Sequence, residues 1–312
     1  MSVNPYIRIA RPDHWVKNIF IIPGVVFAIF LTKTSVTAGL LFHITLGFLA
    51  TSLVASANYV INEWLDAEFD RFHPVKKNRA VVSGSMSVQV IVMEYFLFAA
   101  VGTSIAAFVS LHLALSEFFL LIMGVVYNVK PMRTKDIPYV DVLSESVNNA
   151  IRLLLGWFLV TDMWLPPVSL VIGYWMGGAF LMAIKRYAEY RMIGNPQTAG
   201  QYRKSFQKYD EVSLLVSSVF YALVSIFFVG VFLIKYRLEL ILTIPFLCGL
   251  YCVYLKLSYE EDSVVQKPEK LYRERGLMLY IIFLISLFVL LLLFDIPGLS
   301  LFLDKSLLRI PS

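Results

Sequence analysis

The sequence predicts an all-α integral membrane protein, a bundle of nine transmembrane helices around a central cavity. Of its 312 residues, 58% are hydrophobic and only 16% are charged, whereas soluble domains carry about 25% charged residues. The mean hydropathy is +0.72. The apolar stretches are each close to the ~20 residues that a helix needs to cross the hydrocarbon core. Because no long polar stretch separates them, we expect a single transmembrane domain over 1–312.

Polar clusters divide the chain into nine apolar segments, which we place near 16–33, 40–61, 88–110, 113–130, 139–160, 164–184, 211–233, 238–257 and 277–300. The N-terminus and the loops at about 62–87, 130–138, 185–210 and 258–276, counted with Lys17 and Lys256 at their edges, hold 21 of the 27 Lys and Arg residues. Basic loops stay in the cytoplasm, so we expect a multi-pass plasma-membrane protein whose polar loops face the cytoplasm. The net charge of +5 then favours anionic lipids and phosphorylated substrates as partners over nucleic acid.

The first polar block follows the second segment. Asn62, Asp66 and Asp70 are spaced i, i+4 and i+8, so on a helix they share one face. Ionisable groups at the mouth of a membrane helix indicate a functional site, and Mg²⁺ is typically held by one or two carboxylates together with substrate phosphates. The block therefore predicts a Mg²⁺-bridged phosphate site, with an anion held by the basic residues just beyond, Lys76, Lys77 and Arg79. The alternative is a solvated charged loop that ends a helix.

A second polar block begins at Tyr127 and continues into the fifth segment. There, Asp141, Glu145, Asn148 or Asn149, and Arg152 recur at spacings of three to four, and Arg152 is too deep in the segment to be a surface residue. Two such ladders predict two helices that face each other across a cavity and hold metal ions between their carboxylates. The alternative is a salt-bridge stripe that supports the bundle.

A third polar block follows the sixth segment, where six basic residues are interleaved with tyrosines over 185–209. This composition suits a multiply phosphorylated ligand. A basic surface on lipid headgroups explains the block equally well. For Lys185, Arg186 and Glu189, which lie at the predicted helix mouth, we favour substrate binding.

Asn62 to Asp70 is similar to the NDxxDxxxD motif of the UbiA superfamily of intramembrane prenyltransferases. The resemblance covers essentially the whole chain and implies nine membrane helices with two aspartate-rich motifs that bind Mg²⁺ and diphosphate. Three further motifs resemble the decaprenyl-phosphate phosphoribosyltransferase branch, namely RPxxWxKN at 11–18, DRxHPxK at 70–76 and KRYAE at 185–189. The spacing of Asp141 and Arg152 is also similar to that branch.

This resemblance implies that a membrane polyprenyl phosphate attacks C1 of 5-phosphoribosyl 1-diphosphate in a Mg²⁺-dependent reaction. Together with the polar blocks, it implies catalytic roles for Asn62, Asp66, Asp70 and Arg152. Expected metal ligands are Asn62, Asp66, Asp70, Asp141 and Glu145. Expected substrate-binding residues are Lys17, Arg71, Lys76, Lys77, Arg79, Tyr127, Lys135, Asn148, Lys185, Arg186 and Glu189.

Other activities stay open. Glu63 stands where the motif usually has Asp, and the acidic pair Asp136 and Glu145 resembles the diphosphate-binding motif of ordinary prenyltransferases. The donor would then be a prenyl diphosphate, with an aromatic or glycerol-phosphate acceptor or cyclisation of the cation. A non-enzymatic transporter or lipid-binding protein is less favoured, because a carrier needs polar groups near the midplane and here they cluster at one mouth.

Overall fold

Helices make up all the regular structure of the described part of the chain. The computed structural model describes residues 4–79, 81–82, 86–260, 263–266 and 268–299. The end of the ninth predicted segment at 300, and parts of the predicted loops 62–87 and 258–276, lie outside these residues. In chain order the α-helices are α1 Pro5–Ile9, α2 Ile22–Thr32, α3 Ala38–Asp70, α4 Val88–Val109, α5 Leu111–Asn128, α6 Val140–Phe158, α7 Val168–Ile193, α8 Pro196–Tyr202, α9 Glu211–Tyr236, α10 Ile244–Leu257 and α11 Arg275–Leu293.

The predicted all-α membrane bundle is confirmed. Within the described ranges, eight helical stretches are long and apolar enough to cross a membrane; two of them include the 3₁₀ helices Pro12–Ile21 and Leu238–Thr243, which lead into α2 and α10. The predicted segment that is not among these eight is the fifth, 139–160, which corresponds to α6; this helix has 19 residues but carries three ionisable side chains. The difference between eight and nine therefore comes from the polar ladder in α6.

Two helices run well past their predicted ends. α3 continues nine residues beyond 61, through the polar block to Asp70, and α7 continues nine residues beyond 184 to Ile193. Both extensions are polar yet contain neither Gly nor Pro, so the end of the apolar run is not a helix stop. α7 ends where Gly194 adopts a left-handed φ of 66°, the usual glycine C-terminal signal.

α6 lies inside the bundle, packed against α2, α5 and α7. It approaches α2 closely through two glycines. A Cβ on Gly24 would lie 2.1 Å from the Leu153 carbonyl oxygen, and one on Gly156 would lie 2.0 Å from the Ile21 carbonyl oxygen. Only glycine permits this contact between the two backbones, which holds the N-terminal segment against the polar ladder of α6.

The loops after α3, α5, α7 and α10 meet at one end of the bundle. The loop after α5 reaches α3 through Arg133 Nη2 and Asp66 Oδ1, 3.1 Å apart. The loop after α10 reaches α7 through Gln266 Nε2, which donates to the Ala188 carbonyl oxygen at 3.3 Å. At the other end, the ends of α9 and α11 are joined by an ion pair to Asp295. The polar blocks of the sequence are thereby gathered at one mouth.

Candidate active site

A cleft at this mouth is lined by acidic, basic and aromatic side chains. Asp66 and Asp70 lie one turn apart near the end of α3, on the same face of the helix. Asp70 is buried, with 2% of its surface exposed, and Asp66 is half-buried. The full lining is Asp66, Phe69, Asp70, Arg133, Lys135, Asp136, Tyr202, Arg203 and Lys204.

Each carboxylate of the α3 pair contacts cations from a loop. Asp66 forms ion pairs with Lys135 and, at 3.1 Å, with Arg133, while Asp70 Oδ2 is 2.7 Å from Arg79 Nη1. Burial of Lys135 lowers its pKa to about 8, against the opposing effect of Asp66. Burial also acts to lower the pKa of Arg79, but Glu63 and Asp70 raise it above its usual value. The acidic ladder is therefore neutralised by the same cations that a phosphate would need.

Asn62 lies one turn deeper than Asp66. Its Nδ2 donates to Asn128 Oδ1 at 2.5 Å, and Lys135 Nζ donates to the same oxygen at 2.7 Å. Asn62 Oδ1 makes no hydrogen bond with the described residues. The side-chain carbonyl of Asn62 is thus available to a ligand next to the Asp66 ion pairs.

Asp141 on α6 lies behind the cleft wall. It is fully buried, and its two oxygens accept from Tyr209 OH at 2.9 Å and Ser205 Oγ at 3.1 Å. Burial and the Asp141 carboxylate raise the pKa of Tyr209, so the phenol keeps its proton and donates it. Asp141 therefore anchors the segment after α8 to α6, and its predicted role as a metal ligand stays a prediction.

Glu145, one turn further along α6, is held by Tyr127 and Arg186. Glu145 Oε2 accepts from Tyr127 OH at 2.7 Å and forms an ion pair with Arg186, which also lies 3.5 Å from Asp141. Arg203 links this network to the cleft, because its Nη1 is 3.7 Å from Asp141 Oδ2. Neither Asp141 nor Glu145 belongs to the lining that the described residues form; the role of Glu145 as a metal ligand also stays a prediction.

Glu189 on α7 ties two loops together. Its Oε1 accepts from Lys76 Nζ at 2.6 Å and from Tyr202 OH at 3.0 Å, and it lies 3.4 Å from His73 Nε2. Burial opposes the charge of Lys76, yet the Glu189 carboxylate raises the lysine pKa above its usual value. Burial and Glu189 likewise raise the pKa of Tyr202. The turn after α3 and the short helix α8 are thus joined over the cleft.

Arg152 lies deeper in the bundle than the cleft. Its Nε donates to Asn18 Oδ1 at 3.2 Å, and its Nη1 donates to the backbone carbonyl of Asn148 at 3.3 Å. Lys17 Nζ is 2.9 Å from His14 Nδ1 in the N-terminal 3₁₀ helix. These residues form a second polar layer below the α3 carboxylates.

The other predicted substrate-binding cations lie outside the ion-pair network. Lys185 is half-buried on α7 and makes no hydrogen bond or ion pair with the residues that the structure describes. Arg71 and Lys77 are exposed on the turn after α3, with the Arg71 guanidinium 5.1 Å from the centre of the Phe72 ring. The lining does not include these two exposed residues, and their predicted roles stay predictions.

Several lining residues were absent from the predicted site. Tyr202, Arg203 and Lys204 come from the basic and aromatic block over 185–209, whose composition signalled phosphate binding without saying which members face the cleft. Arg133 lies in the polar block after α5 and carried a similar general signal. Asn128, which lies outside the lining and contacts Asn62 and Lys135, belongs to the same block but was not singled out in it.

The cleft could hold a divalent metal only with help from a ligand. Among the described residues, no group of three or more His, Cys, Asp or Glu side chains could hold a metal ion. Asp66, Asp70 and the Asn62 carbonyl nevertheless supply the hard oxygen donors that Mg²⁺ prefers when substrate phosphates complete its coordination. The donor set therefore fits Mg²⁺ bound together with a phosphate compound.

Comparison with known proteins supports this interpretation of the fold. The sequence model of the UbiA prenyltransferase family matches residues 20–278. The chain is 26% identical over 232 residues to the decaprenyl-phosphate phosphoribosyltransferase of Corynebacterium glutamicum; the match covers 67% of this chain and 60% of that protein, which is less than two thirds of its length. It is 28% identical over 201 residues to protoheme IX farnesyltransferase 2 of Pseudomonas putida, covering 63% of this chain and 66% of that protein.

Solved structures show the same fold. A UbiA homolog from Archaeoglobus fulgidus bound to DMAPP and Mg²⁺ superposes with a TM-score of 0.68 at 19% identity, over 92% of this chain and 99% of that one. At this level of identity the likeness concerns the arrangement of helices.

Proposed function

The chain belongs to the UbiA prenyltransferase family, a family of transferases, and from that premise we propose that it transfers 5-phosphoribose from phosphoribosyl diphosphate to a polyprenyl phosphate. The reaction releases diphosphate and requires Mg²⁺. The observation that carries the proposal is the α3 carboxylate pair in a cleft walled by cations. The similarity to a phosphoribosyltransferase that uses decaprenyl phosphate points to this donor and acceptor.

The leaving diphosphate binds at the end of α3. Asp66, Asp70 and Asn62 Oδ1 would hold Mg²⁺ there, and the metal supplies charge stabilisation to the departing diphosphate. When the anion arrives, Lys135 and Arg79 exchange their carboxylate partners for phosphate oxygens. Because both cations already lie beside these carboxylates, the exchange needs movement of side chains only.

The chemistry needs no nucleophilic side chain. An oxygen of the lipid phosphate, an anion at neutral pH, forms a bond to C1 of the ribose while the bond from C1 to the diphosphate oxygen breaks. The electron pair of that bond leaves with diphosphate, and C1 carries oxocarbenium character in between. The protein therefore contributes orientation and fixed charge, which act most strongly where water is excluded.

The acceptor phosphate is proposed to bind deeper than the diphosphate. Lys185 on α7 forms no hydrogen bond or close ion pair with the described residues, although the Glu145 carboxylate is near enough to act on its charge, so its ammonium group could turn to the acceptor phosphate. Arg186 is already shared among Glu145, Asp141 and Glu189, so we assign it to holding the wall and not to the acceptor. The prenyl chain would extend from this point along the membrane-spanning part of the bundle.

We propose that the mouth faces the cytoplasm of a cell with the protein in its plasma membrane. Phosphoribosyl diphosphate is a highly charged, water-soluble donor, so it must approach from an aqueous side. The basic residues that collect at the mouth agree with the positive-inside rule.

A prenyl diphosphate donor is the second candidate. The similarity to protoheme IX farnesyltransferase 2 favours it, and the same α3 carboxylates and cations would serve its diphosphate. The purified protein should be incubated with Mg²⁺, a polyprenyl phosphate and either phosphoribosyl diphosphate or a panel of prenyl diphosphates with aromatic acceptors. Diphosphate release from phosphoribosyl diphosphate only when the lipid phosphate is present supports the proposal; release from prenyl diphosphates alone overturns it.

A further inference from the structure

His73 is a buried imidazole whose hydrogen bonds define its tautomer. It is 4% exposed, and its Nδ1 accepts from the backbone N–H groups of Val75 and Lys76, both at 3.1 Å. A ring nitrogen that accepts hydrogen bonds carries no proton itself. The proton of the neutral ring is therefore on Nε2.

The protonated nitrogen faces Glu189. His73 Nε2 lies 3.4 Å from Glu189 Oε1, the oxygen that accepts from Lys76 and Tyr202; the two atoms are in contact but do not have the geometry of a hydrogen bond. The imidazole ring packs edge to face against the Tyr202 ring, with centroids 4.6 Å apart. His73 thus contacts the turn that carries Lys76, the Glu189 carboxylate that pairs with Lys76, and the Tyr202 ring in the cleft.

His73 itself is absent from the cleft lining formed by the described residues, whereas Tyr202 is part of it. Asp70, which precedes His73 in the chain, lines the cleft. Lys76, which follows it, lies outside that lining but is near enough for its charge to act on Asp70. Any effect of His73 on a ligand must therefore pass through these neighbours.

We propose that His73 is a positioning residue: its Nδ1 holds the turn from His73 to Lys76, and its Nε2–H holds that turn against Glu189. Lys76 and Tyr202 are thereby placed beside Asp70 for the diphosphate. This role rests on the proposed diphosphate site. A flexible lysine side chain loses conformational entropy when it binds a ligand. A turn that already fixes the lysine backbone leaves less of this entropy to be lost on binding.

The first test is the tautomer, measured by ¹⁵N NMR on histidine-labelled protein in nanodiscs. The chain has four histidines, and His73→Asn assigns the signal by its loss. We expect a protonated Nε2 and an unprotonated Nδ1 for His73 at neutral pH. A proton on Nδ1 would overturn the proposal, because the two backbone N–H groups would then have no acceptor.

The second test is binding of inorganic diphosphate with Mg²⁺, measured by calorimetry on four proteins: wild type, His73→Asn, Lys76→Met and the double variant. Asn keeps an oxygen that can accept from the backbone two residues on, but its amide is too short to replace the contact to Glu189. We expect His73→Asn to weaken binding about 10-fold, within the loss that a small misplacement causes. In the Lys76→Met background the same change should have no further effect, because His73 acts through Lys76.

If the affinity losses of the two single variants multiplied in the double variant while the wild type still bound diphosphate, the role of His73 would be overturned and the proposed function would stand. No binding by the wild type in the presence of Mg²⁺ would overturn the proposed function and the role of His73 in it. His112→Asn is the matched control, since His112 contacts Asp162 at the other end of the bundle, and it should leave both the binding and the His73 signal unchanged.

Discussion

Replacing Lys135 by methionine should change metal and diphosphate binding in opposite directions. The Lys135 ammonium contacts Asp66 and donates to Asn128 Oδ1 at 2.7 Å. A bare metal ion must compete with that ammonium for the carboxylate. Diphosphate, by contrast, gains a cation when Lys135 releases Asp66.

The size of both effects follows from one charged hydrogen bond. Such a bond contributes roughly 1.5 to 3 kcal/mol, and about 1.4 kcal/mol corresponds to a tenfold change in affinity. We therefore expect Lys135→Met to bind bare Mn²⁺ about 10- to 100-fold more tightly and Mg²⁺-diphosphate about 10- to 100-fold more weakly. The fold should survive, because Asp66 keeps Arg133 at 3.1 Å and Asn128 Oδ1 keeps Asn62 at 2.5 Å.

The assay is electron paramagnetic resonance of free Mn²⁺ titrated with purified protein, together with calorimetry for diphosphate. Lys135→Arg is the matched control, because it keeps the positive charge, and it should not tighten binding of bare Mn²⁺. If Lys135→Met weakened both ligands, or left bare Mn²⁺ unchanged, the exchange of partners at Asp66 would be refuted.

Three further outcomes are expected. Asp66→Asn and Asp70→Asn should each lower turnover about 10³-fold, the scale of several kcal/mol of metal stabilisation, with the circular dichroism spectrum unchanged. The control is Glu68→Gln, exposed on the same helix, and near-normal turnover in either Asp variant would exclude the metal role. Chelation by EDTA should stop turnover and added Mg²⁺ should restore it, whereas turnover that survives EDTA would contradict the proposal. Gly156→Val should destabilise the fold by about 1–3 kcal/mol, because its Cβ would lie 2.0 Å from a backbone carbonyl oxygen. Thermal denaturation compares it with Gly230→Val, where nothing lies within 4 Å of the added Cβ, and equal melting temperatures of the two variants would contradict the close contact of α2 and α6.

The fold and the acidic face of α3 could be predicted from the sequence because both are local. Apolar length determines which segments can cross a membrane, and i, i+4 spacing places Asp66 and Asp70 on one face whatever surrounds them. Hydropathy, however, indicates only where a segment contacts lipid, and a helix can continue past the end of its apolar run. For that reason the predicted end at 61 fell short of the true end of α3 at Asp70.

The partners of these carboxylates could not be predicted, because they come from distant parts of the chain. Asp66 contacts Arg133, 67 residues away, and Lys76 contacts Glu189, 113 residues away. Asp141 illustrates the same limit: its spacing resembles that of the α3 ladder, yet Tyr209 and Ser205 each donate a hydrogen bond to one of its oxygens. Whether an acidic ladder faces a cleft or a packed wall depends on which loop covers it.

The most direct test of the central claim follows the ribose. Purified protein in nanodiscs, with Mg²⁺ and a polyprenyl phosphate, should be given phosphoribosyl diphosphate carrying ¹⁴C in the ribose, and the lipid fraction should be extracted. The account predicts labelled polyprenyl-phosphoryl-5-phosphoribose, formed by wild-type protein and absent with Asp66→Asn. An unlabelled lipid fraction, from protein that releases diphosphate from a prenyl diphosphate under the same conditions, would contradict it.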